Sequence, residues 1–524
     1  MPVSDWGEGQ FWAGPQPSAV PDAFSALATA FTVVMDPPVT THRTWLDSAD
    51  FRLYRNDMAL MATAGPDGDE RSLEFTSADG VPVTTGSDPL GWPRLLACLP
   101  YQLRPRLQPV LGVRALLPVV QVSGTCASGR LLDVEGKTVM RLVHERPATI
   151  SGSRGRLPGG LWLTPLRGYA AVGARVCRIA QRAGLVRDDC VGYPAALRAA
   201  GFDPDATPPV FEPGLPAGVA VARMLVSFLD ELEAAWDGTV RDLDIEFLHD
   251  FRVAVRRSRS AIKLLGDLLP PTLVAWVGPQ LKWLGDLTTP SRDLDVLLHD
   301  LPSLTGCPTD GRSEDVEPLV LELIRLRADE RRVLVRGLRS ARFERWRVRW
   351  RASLQELASW DGRPRAGPTA ARIGGERVGS ADRRVLRRGS RITDTSPAED
   401  LHDLRKRAKE LRYLLETFAP LLEPGARGAV KELKALQDVL GRFQDSEAQR
   451  DAVFALATDM MAREGASART ILAMGEVAAR LQADQDSSRA QFTEMFERFA
   501  RPSVRRRLGR PSRAATTTSA GAAP

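Results

Sequence analysis

An α+β domain followed by an all-α domain is what this sequence predicts, and three observations carry the expectation. Up to about residue 190, short apolar runs alternate with Gly, Pro and Asp clusters, the pattern of strands joined by turns. Residues 191–216 are rich in Pro and Gly, which resist helix continuation. From 217 to 501 apolar residues recur at helical spacing over long segments, and one pattern among them occurs twice.

Composition bounds the rest. A chain of 524 residues is longer than one core usually serves, and 43% hydrophobic with 26% charged residues is the balance of a folded protein. Lys and Arg number 71 against 65 Asp and Glu, a net charge of +6, so any strongly basic site is local. No stretch approaches the roughly 20 apolar residues that span a bilayer. The start, MPVSDWGEGQ, lacks the basic-then-apolar build of a secretory signal, so a soluble, cytoplasmic protein is expected. Cys98, Cys126, Cys177, Cys190 and Cys307 are scattered, odd in number and free of C-x-x-C spacing. They predict free thiols and no disulfide framework or zinc site.

Taken in order, the first domain covers 1–190. Its runs, such as LRPRLQPVLGVRALLPVVQV, read as strands, and PLRGYAAVGARVCRIAQRAGLV near its end reads as a helix with Leu166, Val172, Val176, Ile179 and Ala180 on one face. The linker is placed at 191–216 and the helical domain at 217–501, with halves of about 217–360 and 361–501. Its helices include VARMLVSFLDELEAAWDG, EFLHDFRVAVRRSRSAIKLLGDLL, EDVEPLVLELIRLRADERRVLVRGL, DLHDLRKRAKELRYLLETF and VKELKALQDVLGRFQDSEAQRDAVFALATDMMA. Residues 361–397 are loop-like, with ADRRVLRRGSR as a short basic helix inside them, and 502–524 form a disordered basic tail.

The repeat lies in the helical part. His249, Arg252, Arg256 and Arg259 recur as His402, Arg405, Lys409 and Arg412, an offset of 153. LKWLGDLTTPSRD from Leu281 recurs as LKALQDVLGRFQD from Leu433, an offset of 152 that aligns Lys282 with Lys434, Asp286 with Asp438 and Asp293 with Asp445. Two blocks at nearly one offset indicate duplication of a helix pair.

At about 100° per residue, His249, Arg252, Arg256, Arg259 and Lys263 fall within an arc of roughly 80°. Leu248, Phe251, Val255 and Ile262 lie beside it, as do Leu401, Leu404, Ala408, Leu411 and Leu415 in the second copy. The apolar stripe anchors each helix and the basic stripe borders a groove. Each exposed like-charge pair one turn apart costs about 0.2–0.5 kcal/mol, which an anionic ligand would offset. One cation per turn of about 5.4 Å suits an extended phosphate chain. The bland reading of either stripe alone is a solvated face, paired to Asp250, Glu246, Asp403 and Glu410. Duplication with the His retained favours the binding reading. Like charges disfavour the cationic form of those histidines, which leaves a neutral N–H for a phosphate oxygen or a structural role.

These residues resemble the CHAD family. LHDFRVAVRRSRSAIKLL and LHDLRKRAKELRYLLETF are similar to its two signature helices, and LKWLGDLTTPSRDLDVLL and LKALQDVLGRFQD to the segments that follow them. The resemblance implies a duplicated, pseudo-twofold four-helix-bundle domain that binds inorganic polyphosphate and associates with polyphosphate granules. It implies binding by His249, Arg252, Arg256, Arg259, Lys282, His402, Arg405, Lys409, Arg412 and Lys434; the stripe itself adds Lys263.

The first domain resembles a CYTH domain through TWLDSADFRLYRNDMALM, RPRLQPVLGVRALLPVVQV, LLDVEGKTVMRLVHE and TPLRGYAAVGARVCRIAQRAG. That resemblance implies an antiparallel β-barrel tunnel for triphosphate substrates. Working members carry an E-x-E-x-K strand whose glutamates hold divalent metal, whereas here DWGEGQFWAG offers Glu8 alone. ALMATAG and LEFTSADG stand where arginine- and lysine-bearing strands are expected. No phosphate loop, nucleophile elbow or H-E-x-x-H is present. Asp286, Asp293 and the RDLDV segment are read as acids orienting arginines. No catalytic residue, metal ligand or cofactor is therefore assigned, and the reading is a non-catalytic polyphosphate binder. Two alternatives stay open: a metal-dependent triphosphatase or polyphosphatase in the tunnel, and binding to nucleic-acid backbones. The second lacks aromatic stacking platforms in the stripes.

Overall fold

The computed structural model describes residues 9–16, 18–64, 71–77, 83–85, 91–205, 214–305, 314–359, 368–418, 421–422, 426–463, 465–505 and 508. The chain divides into two compact units, Met1–Thr207 and Pro208–Pro524. Glu8, Cys307, residues 361–367 of the expected loop and most of the expected tail lie outside the described residues.

The first unit is a twelve-stranded antiparallel sheet. Its strands are β1 (Gln10–Ala13), β2 (Thr32–Met35), β3 (Val39–Asp47), β4 (Ala59–Ala64), β5 (Arg71–Thr76), β6 (Val83–Thr85), β7 (Leu117–Leu132), β8 (Thr138–Glu145), β9 (Ala148–Ile150), β10 (Arg156–Leu157), β11 (Gly160–Pro165) and β12 (Val186–Arg187). The main path runs β12, β1, β11, β8, β7, β3, β4, β5, β6, while β2 and β9 also pair with β7 and β10 pairs with β9. Four helices accompany it: α1 (Ala19–Ala28), α2 (Arg104–Leu111), α3 (Ala170–Arg182) and α4 (Gly192–Ala200).

Alternation along the strands sorts side chains between two faces. Leu46 pairs with Leu60 and Leu60 with Phe75, and all three pack in one core with Leu103, Leu107 and Leu111 on and beside α2. One residue earlier, Trp45 pairs with Met61, and both pack with Tyr193, Ala196 and Leu197 of α4. A third core gathers Val176 and Ala180 of α3 with Ala23 and Leu27 of α1, and Val172 and Ile179 pack against it, as the helical reading of that segment predicts; Leu166, expected on the same face, lies before the helix begins.

Two stretches differ from expectation. The run LRPRLQPVL, expected as strand, is helix α2, because its leucines recur every four residues and all face the core. Pro105 sits in the first helical turn, where its missing N–H costs nothing. Within the stretch expected as linker, Gly192–Ala200 is α4, and its C-cap Gly201 has φ 86°.

The second unit is helical: α5 (Ala217–Arg241), α6 (Ile245–Leu265), α7 (Pro271–Thr305), α8 (Glu317–Leu338), α9 (Ala341–Ala358), α10 (Ala370–Gly389), α11 (Ala398–Phe418), α12 (Ala426–Ala462), α13 (Ala468–Ala500) and α14 (Pro502–Arg505). Helices α5 and α10 begin at 217 and 370, and α6 and α11 at 245 and 398, in each case 153 residues apart. Helices α7 and α12, then α8 and α13, continue the correspondence, and α9 interrupts it. Leu248, Phe251 and Val255 of α6 and Leu401, Leu404, Ala408, Leu411 and Leu415 of α11 are all at most 2% exposed. Burying each large side chain is worth about 1.5–3 kcal/mol, several times the repulsion of one like-charge pair on the neighbouring stripe. Packing therefore sets how these helices are turned, and the basic stripe follows.

Helix α10 corrects the expectation of a loop at 361–397. Its glycines read as breakers, yet two of them are close-packing positions: a Cβ on Gly374 would lie 2.7 Å from the Phe418 ring, and one on Gly389 would overlap the Phe496 ring. Ile373, Val378, Ala381 and Val385 supply the buried face, and Thr369 caps the start by accepting from the Arg372 N–H. The first residues of the expected tail, Pro502–Arg505, are the turn α14, where Arg505 makes two bonds to the buried carboxylate of Asp382 at 3.1 and 2.7 Å.

Candidate functional site

Helix α6 starts at Asp244, whose carboxylate accepts from the N–H groups of Glu246 and Phe247 at 2.8 and 3.1 Å. The preceding corner is held at Asp242 (φ 57°), whose carboxylate takes two bonds from Arg327 at 2.8 and 2.7 Å. That turn sets where the basic face of α6 begins.

The equivalent arginines Arg252 and Arg405 both reach from a signature helix to the helix after it. Arg252 donates to the hydroxyls of Thr288 and Thr289 on α7 at 3.0 and 2.8 Å. Arg405 donates to Gln444 and, at 2.9 Å, to Asp445 on α12. Burial pulls the Arg252 guanidinium below its usual range, with Asp293 opposing and Arg256 and Arg292 adding to the effect. Burial raises Asp293, which Arg252 opposes and Asp445 reinforces, so the two repeated aspartates feel each other across the duplication.

Between the copies, α6 meets α11. Arg256 donates from Nε to the Tyr413 hydroxyl at 2.9 Å, and Lys263 Nζ lies 2.7 Å from Glu410 Oε1. Lys409 makes no hydrogen bond or ion pair among the described residues, although it is half-buried. Burial pushes its ammonium pKa down to about 8, and Arg405, Arg256 and Arg412 push the same way against Asp445. The two stripes thus merge at Arg256 and Lys409.

A cleft of about 360 Å³ opens beside this junction, lined by Arg256, Arg259, Ser260, Ile262, Lys263, Gly278, Leu281 and Lys282. Arg259 is exposed and, like Lys434, has no hydrogen bond or ion pair among the described residues. Lys282 pairs with Asp286 at 2.6 Å, and Arg412 lies 3.3 Å from Glu416. His249 is half-buried; burial and then Arg292 lower its pKa, Glu246 and Asp250 oppose, and Arg256 adds to the lowering. His402 Nδ1 stands 4.0 Å from Glu447.

The bland reading of the acids holds in part. Glu410 takes Lys263 and Arg407, Asp403 takes Arg388 and Lys406, and Glu246 lies 3.7 Å from Arg292. Tyr413 was not anticipated. It stands where the first copy has Ser260, so the repeat itself carried no sign of it. Arg292, whose charge acts on His249, Arg252 and Asp293, was legible only as part of the RDLDV segment.

The second unit is a helical domain built by internal duplication, with two signature helices meeting along their basic faces. Residues 223–454 match the family model of the CHAD domain, and this unit carries a CHAD domain. An uncharacterized protein of Mycobacterium tuberculosis strain H37Rv is 29% identical over 231 residues, a match spanning 41% of this chain and 41% of that protein. The solved CHAD domain from the plant Ricinus communis is similar at 25% identity and TM-score 0.47, covering 56% of this chain and 95% of that one. PptA from Streptomyces chartreusis is similar at 17% identity and TM-score 0.43, covering 54% and 99%. Among the described residues, no helix is long and apolar enough to cross a membrane.

Proposed function

We propose that the helical unit binds inorganic polyphosphate along the joined basic faces of α6 and α11, without cleaving it. The observation that carries this reading is Lys409, an ammonium with no anionic partner in bonding reach among the described residues, set beside Arg405, Arg256 and Arg412. Like charges held together and partly desolvated are unfavourable. A phosphate chain supplies a negative charge at each unit and offsets them all. Arg256, Arg259 and Lys409 are the cations we assign to direct phosphate contact, because none of them is paired to a carboxylate among the described residues. Arg252 and Arg405 are assigned to the walls of the groove, where they keep bonds to α7 and α12. His249, His402, Lys263, Lys282, Arg412 and Lys434 complete the proposed set.

The strand unit is read as an eroded CYTH-like domain that serves as a scaffold. Arg43 on β3, which lines a cavity of the sheet, is paired with Glu145 of β8 at 2.6 Å. We extend the proposal to association with polyphosphate granules in the cytoplasm, where such a polymer would be met.

Competition tests it. Protein captured on immobilised long-chain polyphosphate is challenged with double-stranded DNA and with soluble polyphosphate at matched phosphate concentration. Release by polyphosphate at far lower concentration is expected; equal release by DNA would favour a general polyanion or nucleic-acid binder.

A further inference from the structure

A second basic surface of the helical unit is built on α9, the helix that stands outside the duplicated order. Phe343, Trp346, Trp350 and Leu354 recur at helical spacing and are at most 3% exposed, which fixes how α9 is turned. At about 100° per residue, the arginines of ARFERWRVRWR then divide between two flanks. On one flank Arg347 and Arg351 bond Glu233 of α5 at 3.2 and 2.8 Å, and Arg351 also meets Asp230 at 2.7 Å. Arg342, Arg345 and Arg349 share the other flank within an arc of about 60°, and all three are exposed. None of the three is paired to a carboxylate among the described residues.

Tryptophans of α7 hold two of these arginines in place. The Arg342 guanidinium carbon lies 4.0 Å from the centre of the Trp283 ring, and that of Arg349 lies 4.2 Å from the Trp276 ring. Within each helix the two partners are seven residues apart, two turns or about 10.5 Å, so the stacks repeat in step. Arg342 Nε also donates at 3.0 Å to Gln280, which lies between the two tryptophans on α7. Stacking occupies the flat face of a guanidinium and leaves its N–H edge free, the edge that forks onto phosphate oxygens. Helix α7 turns Gly278 and Lys282 to the cleft beside α6, and Trp276, Gln280 and Trp283 toward α9. Its exposed ridge of Ala275, Pro279 and Asp286 stands between the two basic surfaces.

Charge decides the ligand class. Three guanidiniums at successive turns repel one another, while Glu344 of α9 is taken by Arg347 and Asp286 of α7 by Lys282. An extended anion offsets that repulsion. With both indoles carrying a guanidinium, the row offers a ligand N–H edges for phosphate and not rings for bases. We infer that this α7–α9 face is a second binding site for polyphosphate, apart from the α6–α11 groove, so that one helical unit grips two segments of polymer. The inference rests on the same reading of the ligand and adds a surface to it.

Arginine footprinting of the full chain tests it: labelling by phenylglyoxal, with and without long-chain polyphosphate at constant ionic strength, is read residue by residue by mass spectrometry. The Arg259→Gln, Lys409→Gln double variant is run beside the parent, so that the groove is weakened independently. Polyphosphate is expected to slow labelling of Arg345 and Arg349 severalfold in both proteins, and to protect Arg256 far less in the double variant than in the parent. Arg345→Glu, at an exposed side chain with no bond among the described residues, should keep the melting transition. It should also reduce severalfold the polyphosphate affinity that remains in the double variant. Protection of Arg256 and Arg259 in the parent with Arg345 and Arg349 unchanged would overturn this inference and leave the groove reading standing. Protection at α9 alone would keep this site and overturn the groove, and protection at neither would overturn both. Equal protection of Arg345 and Arg349 by double-stranded DNA at matched phosphate concentration would overturn the assignment to polyphosphate.

Discussion

Arg256 Nε donates to the Tyr413 hydroxyl at 2.9 Å, and this one bond ties the basic face of the first signature helix to that of the second. Tyr413 is 8% exposed, so its ring is core while its hydroxyl reaches the groove. It holds the Arg256 guanidinium where the Lys409 ammonium feels it. The Tyr413→Phe variant should keep the ring packing and lose the bond, costing about 1 kcal/mol in urea unfolding. It should also weaken polyphosphate binding by severalfold, since the charge remains but its position is released. A variant with unchanged binding would show that Arg256 needs no such positioning.

The half-buried Lys409 predicts a pH dependence whose sign can be worked out. Its folded pKa, about 8, lies below the ordinary value of 10.5. Between those values the unfolded chain holds the proton and the folded chain does not, so this group makes stability rise with pH across that window. Below pH about 8 the lysine is charged in both states and its repulsion from Arg405, Arg256 and Arg412 is fully felt. A bound polyanion favours the charged form, so binding takes up a proton near that pKa and affinity falls as pH rises through it. Calorimetry in buffers of different ionisation enthalpy should detect the uptake, and Lys409→Arg should abolish it.

Salt dependence separates contacting cations from positioning ones. Each phosphate-contacting cation removed should flatten the plot of log affinity against log salt by about 1, by analogy with nucleic-acid binding. Arg259→Gln should flatten it. Arg252→Gln should weaken binding through the loss of its bonds to Thr288 and Thr289, with a smaller change in slope.

Gly389→Ala tests the packing explanation for α10. The added methyl would overlap the Phe496 ring, and overpacking of this kind costs about 1–3 kcal/mol. A melting temperature equal to that of the parent would contradict it.

The parts legible in the sequence were those with a period. The apolar stripe of α6 and α11 and the 153-residue offset of their start points could be read from spacing alone, and both helices bury that stripe except at Ile262, which is half-buried and lines the cleft. Helix α10 was not legible, because IGGERVGS has the composition of a loop, and Gly374 and Gly389 act only through partners far along the chain, Phe418 and Phe496. Helix α2 was hidden in the same way by its prolines, although Leu103, Leu107 and Leu111 already stood four apart. In the site, spacing and duplication placed Arg256 and Lys409 on basic faces bordering a groove but could not tell which side chains meet across it. Tyr413 breaks the repeat, and the division of labour between a paired Lys263 and an unpaired Lys409 depends on which acid lies across the helix contact.

The most direct test of polymer binding in the α6–α11 groove is a calorimetric titration with polyphosphate of defined length against tripolyphosphate. Parent protein and the Arg259→Gln, Lys409→Gln double variant are compared at one salt concentration. Affinity per chain should rise with length until the groove is spanned, tripolyphosphate should bind weakly, and the double variant should lose at least about tenfold. Equal affinity for tripolyphosphate and long chains, or a double variant that binds like the parent, would contradict it.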